Sequence, residues 1–403
     1  MKKLLLVACA SLLLSFNMQA QKSKAASDKE EDIYKFTVVK ELPCTPVKNQ
    51  NRSSTCWSFS SVGFIESELL RLGKGEYHLS EMFVVRNNFE EKADKYVRMH
   101  GSIAFSPGGL TENVFQLIER HGIVPESVYS GLNYGDTMHI HNELDNVTGA
   151  YMAAVLKSKK LTTAWKDGLN GILDAYLGEK PEKFVYNGIQ YTPQSFAQSL
   201  GLNMNDYVNI TSFTHHPFYA QFVLEIPDNY FWGISYNVPL DEMMEIIDSS
   251  IEMGYTVSWA SDVSEEGFQY RNGYAIVADK SAGEDLSGSD RARWEGNKGQ
   301  TTKKGKEAKP AIAKELAITQ ELRQQAFDNY ETQDDHGMLI MGTAKDQEGN
   351  RYYKVKNSWG TDRSRYDGYF FASVPFVQYK TTGVMVHKSV IPDHIADKLG
   401  IKK

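Results

Sequence analysis

The feature that most constrains how this chain folds is a set of four polar residues that lie far apart in the sequence. Gln50 and Cys56 lie in the string QNRSSTCWSF, whereas His336 and Asn357 lie in DDHGMLIMG and YYKVKNSWG. A thiol, a ring that takes its proton, an amide that holds the ring and a second amide donor together form a nucleophilic site. If these residues act together, the fold must bring the two distant segments against each other.

The residues after Cys56 predict a buried helix. Apolar side chains recur at helical spacing over residues 56–72, and they cover a surface wide enough to require burial on most sides. Thr55 or Ser54 is the expected N-cap, and Gly73 ends the helix. Cys56 then lies in the first turn, where free backbone N–H groups and the positive end of the helix dipole favour a thiolate.

The sequence around His336 and Asn357 predicts a β-hairpin. Residues 338–341 are expected to form one strand, and Tyr353, Val355 and Asn357 alternate with lysines in the next one. This alternation puts Asn357 on the apolar, inward face of its strand. A hairpin that joins the two strands would bring His336 back beside Asn357.

The rest of the chain predicts a mixture of helices and extended segments. Further helices are expected over residues 80–99, 111–120, 151–176, 193–201 and 240–253. Aromatic-rich extended segments are expected over residues 219–226, 229–236 and 368–371. No internal repeat is visible in the sequence, which argues against a repeat architecture.

The first twenty residues are predicted to be an export signal rather than a part of the fold. Lys2 and Lys3 precede an apolar run over residues 4–16, and Ala20 has the small side chain that a signal peptidase prefers. The run is too short to span a bilayer comfortably. We therefore expect a periplasmic or secreted protein, with a lipid anchor on Cys9 as the alternative.

Two further segments are predicted to lie outside the packed core. Residues 21–35 are expected to form a flexible leader, and residues 280–310, which are rich in Gly, Ser, Lys and Glu, a solvated loop. The whole chain is 41% hydrophobic and 12% aromatic, as expected for a folded globular protein. Its net charge of −7 argues against a nucleic-acid partner. After the signal, no segment is apolar enough to predict a membrane span.

The use of cysteine argues against a disulfide framework. If Cys9 leaves with the signal, only Cys44 and Cys56 remain, and two cysteines do not hold together an exported protein of this size. Cys44 is expected to be a small buried residue. A Cys44–Cys56 disulfide would block the candidate nucleophile, so it would make sense only as a redox lock.

The histidine pairs do not by themselves predict a metal site. His139 and His141 form one pair and His215 and His216 form another, but no acid or thiol lies at a spacing that supports metal binding. The sequence also lacks a phosphate-binding loop and a dinucleotide fingerprint. We therefore expect neither a metal nor another cofactor.

Each of the four polar residues has a simpler explanation when it is taken alone. Thiols bury readily, so Cys56 could be a core residue. His336 could be a structural histidine whose ring nitrogens are hydrogen-bonded. Asn357 could serve a turn, and Gln50 could be a loop residue without a role. Their order along the chain, each in a suitable local setting, favours a joint catalytic role over these separate explanations.

The motifs around these residues resemble the papain superfamily of cysteine peptidases. The resemblance is carried by the Gln-x5-Cys-Trp string that ends at Trp57, by Asp335-His336-Gly337 and by Asn357-Ser358-Trp359-Gly360. The string before Cys56 lacks the upstream cysteine of papain, as in the disulfide-free branch that contains bleomycin hydrolase and bacterial aminopeptidase C. Other stretches that resemble this branch are HLSEMFVVRNNFEEKADKY, SPGGLTENVFQLIERHGIVPE, YTPQSFAQSLGLNMNDYVNI and GYTVSWASDVS.

The resemblance covers about residues 36–395 and implies an α+β fold. It predicts one papain-like peptidase domain over residues 36–403, in which a helical domain and a β-barrel-like domain face each other across the active-site cleft. The large separation between Cys56 and His336 suits the branch with an extra helical insertion, which is expected over about residues 130–250. Related proteins form a ring-shaped hexamer, so a homo-oligomer is implied.

The resemblance also assigns roles to the site residues. Cys56 is the implied nucleophile, His336 the acid and base, Asn357 the residue that orients the ring, and Gln50 the oxyanion donor. Peptides are the implied substrates. The resemblance implies supporting roles for Trp57 and Trp359, the latter as a shield of the His–Asn hydrogen bond, and it places Gly108 and Gly109 along the substrate cleft. A tight turn that needs glycine is an equally compatible reason for those two residues.

Three alternatives to a strict aminopeptidase stay open at this point. In the related branch, a C-terminal segment extends into the cleft and limits cleavage to the ends of peptides. Here a short helix marked by Ile391, Ile395 and Leu399 is followed only by residues 400–403, so an endopeptidase is an alternative. An acyltransferase that uses the same thioester and a binding protein with an idle site are the other two.

Overall fold

Ten α-helices and thirteen strands form the part of the chain that the computed structural model describes, residues 33–279 and 312–403. The predicted export signal, nearly all of the leader and the predicted loop at 280–310 lie outside these residues. The helices are α1 (Cys56–Arg71), α2 (Glu81–Arg98), α3 (Thr111–His121), α4 (Asn142–Leu156), α5 (Ala164–Leu177), α6 (Pro193–Leu200), α7 (Leu240–Glu252), α8 (Gln320–Asp328), α9 (Val374–Lys380) and α10 (Asp393–Leu399).

Eleven of the strands form one sheet, and the remaining two form a separate hairpin. The strands are β1 (Thr37–Glu41), β2 (Phe184–Tyr186), β3 (Ile189–Tyr191), β4 (Tyr207–Thr211), β5 (Gln221–Val223), β6 (Ile234–Asn237), β7 (Val257–Ser261), β8 (Phe268–Gln269), β9 (Tyr274–Ala275), β10 (His336–Lys345), β11 (Arg351–Lys356), β12 (Tyr369–Ser373) and β13 (Thr381–His387). The sheet has the order β5-β6-β4-β13-β7-β10-β11-β12-β9-β8, and β1 also pairs with β10. Within the described residues the sheet is open, so the expected barrel-like domain is not a closed barrel.

Strand β10 is central to the sheet, and its first residue is His336. Its beginning pairs antiparallel with β7, where His336 lies opposite Ser261. On the other side it pairs antiparallel with β11, where Leu339 lies opposite Lys356. Because β11 ends one residue before Asn357, the hairpin returns Asn357 to the end of β10 that carries His336. The predicted hairpin is confirmed.

The sheet separates two apolar cores. Along β10, Met338 and Ile340 pack in the core that contains α7, whereas Leu339 packs in the core that contains α1, α2 and α3. This follows from the strand geometry, since successive side chains point to opposite faces. The first core belongs to the sheet side of the molecule and the second to the helical side, so the expected pairing of a helical and a β-rich half is present.

Helix α1 is buried around almost its whole circumference, as the width of its apolar surface predicts. The residues from Trp57 to Leu69 are all buried. Thr55 is the N-cap residue, but its side chain makes no capping hydrogen bond to the helix and bonds to Ser53 instead. Gly337 allows the helix to lie directly on β10, since a Cβ at this position would be 2.5 Å from Ser60 Oγ and 3.2 Å from Trp57 Cα.

The predictions for the middle of the chain are partly wrong. The helix expected over residues 151–176 is two helices, α4 and α5, and they are separated by an exposed polar stretch over residues 157–163. The expected helical insertion over residues 130–250 contains four helices and also five strands, of which β4, β5 and β6 belong to the main sheet. Strand β7 was not predicted, although it pairs directly with the strand of His336.

Candidate active site

Cys56 is the first residue of α1, and the end of the helix supplies its surroundings. Hydrogen bonds from the backbone of Gly337 and Trp57 reach its thiol and favour the thiolate. The next residues turn into the helix, since the N–H groups of Ser58 and Phe59 both donate to Thr55 O. The sulfur therefore lies where N–H groups converge and where the helix dipole favours negative charge.

His336 is held by Asn357 in a defined tautomer. Asn357 Oδ1 lies 2.7 Å from His336 Nε2 and also accepts a hydrogen bond of 2.7 Å from Ser358 N. The contact with the backbone N–H identifies Oδ1 as the amide oxygen, which can only accept, so Nε2 must carry the proton. Nδ1 is then the ring nitrogen that is left to accept a proton.

The two tryptophans lie against different parts of the site. The indole ring of Trp359 covers the His336 ring, with 4.6 Å between the ring centroids. His336 is only 6% exposed, so this contact helps to exclude water from its hydrogen bond to Asn357. Trp57 Nε1 donates to Pro107 O over 3.0 Å and so fixes the turn before Gly108.

Gln50 is joined to the segment that carries Asn357. Its backbone N–H donates to Ser358 O over 2.8 Å, and its side-chain Oε1 accepts from Ser358 Oγ over 2.6 Å. Since the oxygen end of the amide is held, the NH2 end is the one that remains to donate. Gln50 is 5% exposed, yet it lines the same cleft as Cys56.

A cleft of about 450 Å³ brings the predicted site residues together. Seven of them line it: Gln50, Cys56, Trp57, Gly108, Gly109, His336 and Trp359. The eighth, Asn357, lies behind His336 and is 2% exposed. One wall comes from the helical side of the molecule and the other from the sheet side, as the resemblance implies.

Burial favours the uncharged forms of the thiol and the imidazole. It raises the pKa of Cys56 to about 12, although the hydrogen bonds from Gly337 and Trp57 act in the opposite direction. It lowers the pKa of His336 to about 4, although the hydrogen bond to Asn357 opposes this. If the proton passes from sulfur to nitrogen, however, no net charge is created, and the two new charges attract each other.

The cleft carries an excess of carboxylates. Its charged lining residues are Arg52 and three aspartates, Asp228, Asp334 and Asp335. Burial raises the pKa of Asp334 to about 7, and the nearby charge of Asp228 adds to this shift. Both Asp334 and Asp228 also raise the pKa of Cys56, so they lie within electrostatic range of the sulfur. The cleft is therefore suited to a positively charged group.

Sequence reasoning missed several residues that shape this site. Ser358 holds the Gln50 amide, and Gly337 lets α1 reach β10. Both lie in strings that the sequence analysis singled out, but only for their neighbours Asn357 and His336. Asp228 comes from a part of the chain with no recognisable motif, so no signal in the sequence pointed to it.

The two remaining cysteines are free, so the expectation of no Cys44–Cys56 disulfide agrees with the structure. Cys44 is only partly buried, and its sulfur lies 3.7 Å from the hydroxyl of Tyr369. The sequence therefore overestimated how deeply Cys44 is buried. No helix within the described ranges is long and apolar enough to cross a membrane.

One histidine pair has the acidic partner that its sequence spacing did not suggest. Glu225 lies 3.0 Å from His215 Nε2 and 2.7 Å from His216 Nε2. The candidate ligand atoms lie within 4.8 Å of one another, so the three residues could hold a metal ion. None of them lines the cleft. The fold thus supplies the acidic residue that the sequence spacing around His215 and His216 lacks.

Comparisons with known proteins agree with this geometry. The family model described as papain family cysteine protease matches residues 34–172, and the one described as Peptidase C1-like family matches residues 301–402. Aminopeptidase C of Lactococcus lactis subsp. cremoris is 22% identical over 88% of this chain and 83% of the relative. Aminopeptidase G of Lactobacillus delbrueckii subsp. lactis is 24% identical over 87% of this chain and 83% of the relative.

A solved structure has the same fold. The crystal structure of PepW from Lactobacillus rhamnosis matches with a TM-score of 0.65 and 21% identity, over 90% of this chain and 84% of the matched one. The two family models together cover both the segment of Cys56 and the segment of His336. Models of papain-type cysteine peptidases thus match this chain at both segments of the candidate site, and aminopeptidases C and G align with most of its length.

Proposed function

We propose that this protein is a cysteine aminopeptidase, which removes residues from the N-termini of peptides through a thioester acyl-enzyme. The observation that carries the proposal is the orientation of His336, whose Nε2 donates to Asn357 while Nδ1 remains to accept the thiol proton of Cys56. The names of the relatives support the exopeptidase mode, since they are called aminopeptidases C and G.

The proposed reaction begins with proton transfer from Cys56 Sγ to His336 Nδ1. The sulfur then attacks the carbonyl carbon of the scissile peptide bond, and the negative charge moves to the carbonyl oxygen. The side-chain NH2 of Gln50 and the backbone N–H of Cys56 donate to this oxygen. The imidazolium gives its proton to the leaving amine, and water then hydrolyses the thioester.

The surroundings of the sulfur support this sequence of steps. Forming two opposite charges side by side costs less than forming either one alone in a buried site. The N–H groups of Gly337 and Trp57 and the helix end favour the thiolate. Asn357 keeps the ring in the tautomer that the transfer requires, and it favours the imidazolium form of His336.

The test compares Cys56→Ala with Cys44→Ala, a matched removal of the other thiol of the folded domain. With an unblocked peptide of mixed sequence, we expect Cys56→Ala to lower kcat/KM by at least about 10⁴-fold and Cys44→Ala to leave it within about threefold. Mass spectrometry of the wild type, quenched in acid, should show the peptide's first residue attached to Cys56. An active Cys56→Ala variant would overturn the proposal.

A second arm of the test separates hydrolysis from acyl transfer. In the presence of excess free amine, a hydrolase should still release the first residue mainly as the free acid, whereas an acyltransferase would release it mainly as the amide. Mass spectrometry of the products distinguishes the two. Amide as the main product would replace the proposed peptidase by a transferase.

We also propose that the protein acts outside the cytoplasm, on the basis of the apolar run over residues 4–16 and the cleavage signal at Ala20. The mature protein should begin at Gln21. N-terminal sequencing of protein recovered from the periplasm or the medium of the native cells tests this. Recovery of the intact chain from the cytoplasm alone would contradict it.

A further inference from the structure

The segment from Leu224 to Gly233 brings one charged side chain, Asp228, to the cleft. The side chain of Asn229 braces the segment, because its Nδ2 donates to Leu224 O over 2.9 Å and to Gly233 O over 3.0 Å. Asn229 Oδ1 accepts from Gly233 N over 2.7 Å. Tyr230 is buried, and its hydroxyl donates to Asn88 on α2. Asp228 is therefore held in place before any ligand binds.

The two oxygens of the Asp228 carboxylate differ in their surroundings. Oδ1 accepts a hydrogen bond of 3.0 Å from Ser106 Oγ. Oδ2 packs against the backbone of Gly108, and a Cβ atom added to Gly108 would be only 1.9 Å from it. Within the described residues, Oδ2 takes part in no hydrogen bond. The carboxylate thus presents a free oxygen at the cleft wall that Gly108 and Gly109 form.

The nearest cation does not satisfy that oxygen. Lys92 Nζ lies 3.9 Å from Asp228 Oδ1, which is beyond hydrogen-bonding distance. Its protons instead go to Ser106 O and Gly108 O, at 2.8 Å each. Burial lowers the pKa of Lys92 to about 8, and the charge of Asp228 opposes this. Lys92 therefore fixes the turn under Asp228 and leaves Oδ2 available to a ligand.

Asp228 lines the same cleft as the sulfur of Cys56. Its charge raises the pKa of Cys56, so the carboxylate lies within electrostatic range of the sulfur. In a substrate whose first peptide bond is attacked, the α-nitrogen lies only two bonds from the attacked carbonyl carbon, about 2.5 Å away. A group that recognises this nitrogen must therefore lie near the thiol and on the cleft wall, and Asp228 meets both conditions.

We infer that Asp228 Oδ2 binds the α-ammonium group of the first residue of the peptide substrate, and that this contact directs cleavage to the N-terminus. The inference rests on the proposed function and adds the recognition element to it. A blocked or internal residue brings an uncharged amide nitrogen and a preceding carbonyl to the same place. It loses the charge-assisted hydrogen bond and puts a carbonyl oxygen near a carboxylate. The excess of aspartates in the cleft acts in the same direction.

The experiment measures kcat/KM of the wild type and Asp228→Asn with alanyl-aminomethylcoumarin and with its N-acetylated form. Asparagine keeps an oxygen for Ser106 but removes the charge. We expect the variant to lose about 10- to 100-fold on the unblocked substrate, as for the loss of a charge-assisted hydrogen bond. Its kcat/KM on the N-acetylated substrate should stay the same or rise, so the ratio of the two values should collapse.

The controls separate recognition from a general effect on the thiol or on folding. Asp241→Asn makes the same chemical change at an exposed residue in the first turn of α7, and it should leave both values within about twofold. Thermal melting should place Asp228→Asn within a few degrees of the wild type. An equal loss on both substrates, or no loss on either, would overturn the role of Asp228.

The same data distinguish this inference from the proposed function. If the wild type cleaves blocked and unblocked substrates equally well and Cys56→Ala cleaves neither, the peptidase stands and the α-ammonium anchor is overturned. If Cys56→Ala cleaves as well as the wild type, or if the wild type cleaves neither substrate, the proposed aminopeptidase is overturned, and the anchor with it.

Discussion

Helix α1 has buried ionisable groups on two sides. The charged form of Lys48 is stabilised on one side, whereas the neutral forms of Cys56 and His336 are favoured on the other. Behind the helix, Lys48 Nζ lies 2.7 Å from Glu81 Oε1, 2.9 Å from Glu126 Oε2 and 3.5 Å from Glu66 Oε1. On the cleft side, burial pushes Cys56 and His336 towards their neutral forms. The first region is a network of compensated charges, and the second keeps groups that can still exchange a proton.

Behind the helix, nearly every polar atom of the network has a hydrogen-bond partner. Glu66 Oε1 accepts from Leu79 N over 2.8 Å, and Oε2 accepts from Thr45 Oγ1 over 2.5 Å. Lys356 Nζ donates to Thr45 O over 2.7 Å. Although burial alone would lower the pKa of Lys48, the surrounding carboxylates raise it above its ordinary value. The difference is that ion pairs behind the helix keep Lys48 charged, whereas burial favours the neutral thiol and the neutral imidazole on the cleft side. Burial acts on both sides, since it also raises the pKa of Glu81 to about 7.

The largest expected effect is on the cleft side. His336→Ala should lower kcat/KM on an unblocked peptide by about 10⁴-fold, because the thiol loses its proton acceptor and the leaving amine its donor. The melting temperature should fall by only a few degrees, since among the described residues the ring forms one side-chain hydrogen bond, to Asn357, and one aromatic contact, with Trp359. Activity assays measure kcat/KM and calorimetry measures the melting temperature, both on the same preparation. Retention of more than a tenth of the activity would remove His336 from the mechanism.

Breaking the network behind the helix should have the opposite effect: the protein should lose stability and keep its activity. Lys48→Met removes the cation that forms ion pairs with the buried Glu66 and Glu81, which should cost about 3–5 kcal/mol of unfolding free energy. The activity of the fraction that remains folded should stay within about threefold of the wild type. Urea unfolding and active-site titration measure the two quantities. A variant of unchanged stability would show that the network is not structural.

The next effect concerns the oxyanion donor. Gln50→Ala should lower kcat about 10²- to 10³-fold, or about 2.7–4 kcal/mol of barrier, with little change in KM. Ser358→Ala keeps the amide but removes the hydroxyl that holds its oxygen, so it should cost about tenfold. A rise in KM with kcat unchanged for Gln50→Ala would instead indicate that Gln50 binds the substrate in the ground state.

The smallest effect is on the pH dependence of stability. Because burial lowers the pKa of His336 from 6.5 to about 4, the unfolded chain binds a proton below pH 6.5 that the folded chain does not. The free energy of unfolding should therefore fall by about 2 kcal/mol between pH 6.5 and pH 5 because of this residue. In His336→Gln, the free energy of unfolding should not show the part of this fall that comes from the His336 ring. Urea unfolding of both proteins at pH 7.5 and 5 tests this, and parallel losses would refute it.

The parts of the fold that were predictable from the sequence depend on contacts close along the chain. Helix α1 follows from its own periodicity, and the β10–β11 hairpin follows from alternation and a short turn, so the His336–Asn357 contact could be expected. Strand β7 and its pairing with β10 could not, because that contact joins segments far apart in sequence. The break between α4 and α5 shows that an exposed polar stretch can end a pattern that looks continuous.

The candidate site shows the same limit. The roles of Cys56, His336, Asn357 and Gln50 stay predictions. That Cys56, His336 and Gln50 meet in one cleft, with Asn357 behind His336, follows from motifs that the sequence displays. Asp228 is different, because its carboxylate reaches Gly108 from a loop that lies far from Gly108 in sequence and that Asn229 braces. Such a contact is a property of the assembled molecule, and no local pattern encodes it.

Gly337 has one more consequence. The helix that carries the sulfur and the strand that carries the ring meet there without any intervening side chain. The spacing between Cys56 and His336 thus depends on the absence of a side chain at position 337, and the methyl group of a Gly337→Ala variant would push the helix and the strand apart. A side chain at position 337 would therefore displace the sulfur relative to the ring, because the contact between helix and strand leaves no room for it.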